Sequence, residues 1–175
     1  MKLGKFLAAL LVAVFFVAGS CSAREKNDPA LLADMYANPK DYIGLGGAGT
    51  GLSVWLYKKS LDVQKYRPPI YTIAMQWAIY SVQPSGTTAS WAGKYQYLYN
   101  YDQRKIYVYE PEHKNWRVLN PKDANGPSVS MDSKHIETAE FAFYLAYNMS
   151  FFDEPLSNGL RMYIKSGGYT FASKL

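Results

Sequence analysis

The chain has 175 residues, with 19 Lys and Arg against 14 Asp and Glu, a formal net charge of +5. Its basic residues are scattered singly or in pairs such as Lys58-Lys59, not gathered into the stripe that a nucleic-acid-binding protein needs, which sets that class aside. Cys21 is the one cysteine, so no internal disulfide can form, and the length fits one domain folding around a single core.

The amino terminus has the order of an export signal. Lys2 and Lys5 precede an uninterrupted apolar run from Phe6 to Ala18, and the small residues Gly19, Ser20, Ser22 and Ala23 follow. This run is shorter than the roughly 18 to 20 residues that span a bilayer as a helix, so a processed signal over residues 1–23 is expected. Two processing routes stay open. Cys21-Ser22-Ala23 offers small residues for cleavage before Arg24, whereas Val17-Ala18-Gly19-Ser20-Cys21 resembles a bacterial lipobox, with Ala18 where such motifs usually carry Leu or Val. The lipobox resemblance implies a lipid on Cys21, and the place of the sole cysteine, directly after the apolar run, favours it. Taking 23 residues from 175 leaves 152, and taking Lys2 and Lys5 from 19 leaves 17 basic against 14 acidic residues, a difference of +3.

Residues 24–41 read as a short helix and linker, and 42–175 as one α+β domain. Asp28 before Pro29 is a helix start, with Leu31, Leu32, Met35 and Tyr36 at helical spacing, and Asn38-Pro39 ends it. A glycine-rich lead-in, Gly44 to Gly51, comes next. Leu52, Val54 and Leu56 then alternate with Ser53, Trp55 and Tyr57 as a strand. Past Tyr66-Arg67-Pro68-Pro69, the apolar positions Tyr71, Ile73, Met75, Trp77 and Ile79 mark a second strand. Tyr95, Tyr97, Tyr99 and Tyr101 mark a third, and Lys105 to Tyr109 a fourth. A two-residue turn near Asp102-Gln103 would set Tyr99 opposite Ile106 and Tyr97 opposite Val108, with Tyr107 and Tyr109 on the other face. Trp116, Val118 and Leu119 form a short fifth strand, and Asn120 to Ser130 reads as a loop. A second helix, capped by Asp132 or Ser133, carries Ile136, Ala139, Phe143, Ala146 and Tyr147 on one face. From Gly159 the tail is either a last strand or loosely held. The fold class that follows is α+β: an antiparallel sheet of about five strands packed on a C-terminal helix, with a short N-terminal helix.

Chemical signals are sparse. Gly44, Gly46 and Gly49 have GxGxxG spacing, but a strand follows them where a dinucleotide site needs a helix, so a bulged lead-in is the better reading. His113, in Glu110-Pro111-Glu112-His113, fits an ordinary polar turn better than a metal site, and His135 is expected in solvent in the first turn of the second helix. Glu140 sits on an apolar stretch where burial would raise its pKa; a structural pairing is the ordinary role of such a carboxylate, with acid catalysis the alternative. Glu137 is expected to face water. No catalytic residue, metal or cofactor is assigned. The tyrosine row is expected to form core, while Tyr107, Tyr109 and Trp116 are candidate ligand-binding residues on a wet face.

From about Tyr42 to Phe152 the order of features resembles small exported bacterial proteins of the surface-adhesin protein E type. The residues that carry this resemblance are Tyr42-Ile43-Gly44, Val54-Trp55-Leu56, Ser60-Leu61-Asp62-Val63, Pro68-Pro69-Ile70-Tyr71, Tyr99-Asn100-Tyr101, Tyr107, Trp116 and Glu140-Phe141-Ala142-Phe143-Tyr144. It implies an antiparallel sheet flanked by helix, at the cell surface, with protein or glycan of the envelope or host matrix as partner; this chain has no cysteine pair in the mature domain. The expectation is therefore a non-enzymatic envelope binding module, membrane-associated only through its signal or lipid. Alternatives are an envelope hydrolase with its acid at Glu140, or a structural or assembly lipoprotein.

Overall fold

The computed structural model describes residues 27–48, 51–125 and 130–168. The signal over 1–23, the processing at Cys21, and Gly49 of the glycine-rich stretch lie outside the described residues.

Six strands form one antiparallel sheet in which each strand pairs with its neighbours in sequence: β1 (Tyr42–Ala48), β2 (Leu52–Arg67), β3 (Ile70–Gln83), β4 (Gly86–Asn100), β5 (Lys105–Glu110) and β6 (Asn115–Val118). Helix α1 (Pro29–Ala37) packs on one face near one end, and α2 (Met131–Tyr147) crosses the other, backed by α3 (Asn158–Lys165). The class is α+β. Among the described residues no helix is long and apolar enough to cross a membrane.

Local chemistry accounts for most boundaries. The Asp28 carboxylate accepts from the Ala30 and Leu31 amides at 3.0 and 3.1 Å, and Pro29 opens α1 without a wasted amide. The glycine-rich lead-in turns out to be an edge strand. Its glycines hide the alternation, and two of them answer to a local need: a Cβ on Gly44 would lie 3.3 Å from the Trp55 ring, and Gly46 takes φ +76° inside a bulge between Gly44 and Gly47. Strands β2 and β4 are also longer than their clean alternation, because bulges at 57–62 and 63–65 in β2, and at Ala92 in β4 opposite the step from Trp77 to Ala78, interrupt the period without ending the ladder.

In the β4–β5 hairpin Tyr99 faces Ile106 and Tyr97 faces Val108, the predicted register. The turn itself spans four residues, 101–104, with Arg104 left-handed at φ 51°. Register survives because one added residue on each strand leaves the pairing sum unchanged.

Helix α2 begins at Met131 after Ser130, ahead of the predicted caps, and its residues 133–143 are all buried. Ile73, Met75, Trp77, Tyr97, Tyr99, Ile106 and Val108 form the sheet side of this core, with Ile136, Ala139 and Phe143 above them. The tail from 158 to 165 is a helix, not a strand: Ser157 accepts from the Leu160 amide at 3.4 Å, and Tyr163 packs against Phe141 and Tyr144. Residues 121–125 of the predicted loop form a 3₁₀ turn.

Candidate functional site: two faces of one sheet

Helix α2 carries a group of buried polar side chains. Glu140 is fully buried, and its two oxygens accept the Leu156 and Ser157 amides at 2.7 and 2.8 Å, which fixes the segment leading into α3. Burial raises its pKa, while these amides pull it back down. The carboxylate's acceptor positions are thus directed at backbone, a structural pairing in which peptide amides replace a side-chain partner.

Two expectations are corrected here. His135 does not face solvent: it is 7% exposed, lies 4.9 Å from the rings of both Trp77 and Tyr95, and meets the Tyr97 hydroxyl at 3.0 Å through Nδ1. Burial lowers its pKa to about 4 and the Arg117 charge acts in the same direction. Glu137 likewise does not face water. It is buried beside Lys134 at 3.5 Å, and a side chain at Gly159 would collide with its Oε1. Burial raises its pKa, opposed by Lys134, whose Nζ also donates to the Leu45 carbonyl of β1. The two errors have different causes: His135 is buried by the sheet rings of Trp77, Tyr95 and Tyr97 beneath the first turn of α2, whereas Glu137 is covered from the far side by α3, where Gly159 meets it.

Among the described residues, the other face of the sheet is covered at one end only. There Leu31 and Met35 of α1 pack with Tyr42, Trp55, Ala78 and Ala89. Towards β6 the face is open, and pairing registers lay it out in rows. Arg67, Ile70, Asn100 and Lys105 form one row across β2 to β5. Lys65, Thr72, Leu98, Tyr107 and Val118 form the next, across β2 to β6. Asp62, Ala74 and Gln96 begin the third, and Tyr109 opposite Trp116 stands on the same face. The rings of Tyr109 and Trp116 are 5.2 Å apart and tilted by 57°. Trp116 and Val118 are 37% and 50% exposed, and Tyr107 and Tyr109 half-buried. Over β3, the Lys94 ammonium meets Asp62 at 2.8 Å and Gln96 meets Gln64 at 2.6 Å, so two polar bridges roof the fully buried Ala74.

The structure therefore brings Tyr107, Tyr109 and Trp116 together on one open surface. Their neighbours Leu98, Val118, Lys65, Arg67 and Lys105 were missed as members of it. Lys105 could have been found, since it shares the odd-numbered face of Tyr107; Lys65 and Arg67 could not, because the bulges in β2 break the parity. His113 stands apart in the β5–β6 turn, exposed, with Nδ1 3.5 Å from Glu110. Among the described residues no three His, Cys, Asp or Glu side chains are grouped to hold a metal ion. Comparison with protein-family models, curated proteins and solved structures finds no match for this chain.

Proposed function

We propose that the chain is an exported cell-envelope protein acting as a non-enzymatic binding module, with Tyr107, Tyr109, Trp116 and Val118 as its docking strip. The observation that carries this is the exposure of a large aromatic residue and an aliphatic neighbour on the uncovered part of a sheet face, where aromatic side chains typically anchor partners. Export rests on the order of charged, apolar and small residues over 1–23, and a lipid on Cys21 would hold the domain at the membrane surface. The partner class, a protein or glycan of envelope or host matrix, follows the resemblance to surface-adhesin protein E. A hydrolase working through Glu140 gains no support from a carboxylate that is fully buried and engaged by two amides.

The test is capture of components from envelope extract and from host matrix on immobilised full-length protein, wild type against Trp116→Ala. The expected result is a loss of at least roughly tenfold in bound partner, with the circular dichroism spectrum unchanged. Undiminished capture by the variant overturns the strip, and turnover of peptidoglycan or ester substrates abolished by Glu140→Gln overturns the non-enzymatic reading.

A further inference from the structure

We infer that the ligand of this open face is an acidic polysaccharide, a polymer whose sugar rings carry carboxylates or sulfates; this rests on the binding-module reading and names its ligand class. The charge of the face is one-sided. Lys65, Arg67, Lys94 and Lys105 stand on it against Asp62 alone in the rows described above, and Lys94 is matched to Asp62. Lys65, Arg67 and Lys105 have no acidic partner among the described residues. Glu110, the carboxylate nearest in sequence to the aromatic strip, projects to the opposite side, where Arg117 holds it.

Geometry separates a polysaccharide from an acidic peptide. Arg67 on β2 and Lys105 on β5 are three strand spacings apart, roughly 14 Å, so a ligand meeting both must lie across the strands. Backbone amides and carbonyls in the middle of a sheet are consumed by the ladder, so the face offers side chains only; a peptide that docks by backbone pairing goes to an edge instead. What the side chains offer suits sugar. Aromatic rings of Tyr107, Tyr109 and Trp116 pack against the C–H faces of pyranose rings, the amides of Gln64, Gln96 and Asn100 bond hydroxyls, and the unpaired cations take the acid groups.

The experiment measures binding of the full-length protein to polygalacturonate, dextran sulfate, neutral dextran and poly-L-glutamate. Both acidic polysaccharides are expected to bind, neutral dextran not at all, and poly-L-glutamate at least tenfold more weakly. Raising the salt from about 50 to about 200 mM is expected to weaken binding by roughly tenfold. Lys65→Glu with Lys105→Glu is expected to weaken it at least tenfold, whereas the charge-matched pair Lys122→Glu with Lys165→Glu, on the 3₁₀ turn and α3, leaves it within twofold. Equal effects of the two pairs, or poly-L-glutamate binding as tightly as the polysaccharides, overturn the inference. Failure of both acidic polymers while Trp116-dependent capture persists also overturns it and leaves the binding-module reading standing.

Discussion

Two tyrosine pairs on adjacent strands have opposite fates in this protein. Tyr97 and Tyr99 on β4 are fully buried beneath α2, where the Tyr99 hydroxyl donates to the Ala139 carbonyl at 2.8 Å. Tyr107 and Tyr109 on β5 are half-buried on a face that, among the described residues, no helix covers at that end. Residue type and strand period are identical, so neither decides the outcome. Cover decides it, because a pleated strand always presents alternate side chains to both sides and only tertiary packing determines which side stays wet. Tyrosine tolerates either fate, having a broad ring for the core and a hydroxyl that must find a partner or water.

The contrast can be broken most directly by truncation. Tyr99→Ala is expected to cost about 3 to 5 kcal/mol, as removal of a fully buried ring does, and Tyr107→Ala about 1 kcal/mol or less, both read from urea unfolding at pH 7. Equal costs for the two would mean that the uncovered face is in fact packed. Next in size is a pH effect confined to the α2 side. Unfolded His135 takes a proton near pH 6.5, whereas the folded side chain refuses it until about pH 4. Stability from this group is therefore fully present above pH 6.5 and falls as the pH drops towards 4, by up to about 3 kcal/mol. His135→Phe is expected to flatten that slope relative to wild type. Glu137, raised by burial, has the opposite sign: acidification neutralises a carboxyl that is costly to keep charged inside, so Glu137→Gln is expected to steepen the acid loss. Smallest is Glu140→Gln, which keeps the shape but leaves one of two backbone amides facing an NH2 group. A cost of about 1 to 3 kcal/mol in thermal unfolding at pH 7 is expected, and no cost would remove the carboxylate from its anchoring role.

How much of this was legible beforehand varies by element. Strands β3 and β5 could be read because bulge-free alternation leaves one interpretation, and the Tyr97 to Val108 register followed from a hairpin whose ends are close in sequence. Strand β1 was hidden by its own glycines, which exist to admit the Trp55 ring and to form a bulge. Helix α3 has only eight residues, and it is held by contacts to Phe141 and Tyr144 that no local window contains. Of the candidate site, Tyr107 and Tyr109 shared a visible parity and Trp116 was expected beside them, while its place opposite Tyr109 came only from the β5–β6 pairing.

By itself the sequence determined the period of two along the middle of the chain, the period of 3.6 at its two main helices, and the Asp28-Pro29 and Asn38-Pro39 boundaries of α1. Such features are set by neighbours within a few residues, through backbone sterics and amides that need capping. The tertiary structure alone decided that His135 and Glu137 are inside, that the glycine-rich stretch closes one sheet edge, and that Lys65, Arg67 and Lys105 share a face with Trp116. Burial depends on what arrives from elsewhere in the chain, and a one-residue bulge moves every later side chain to the opposite face.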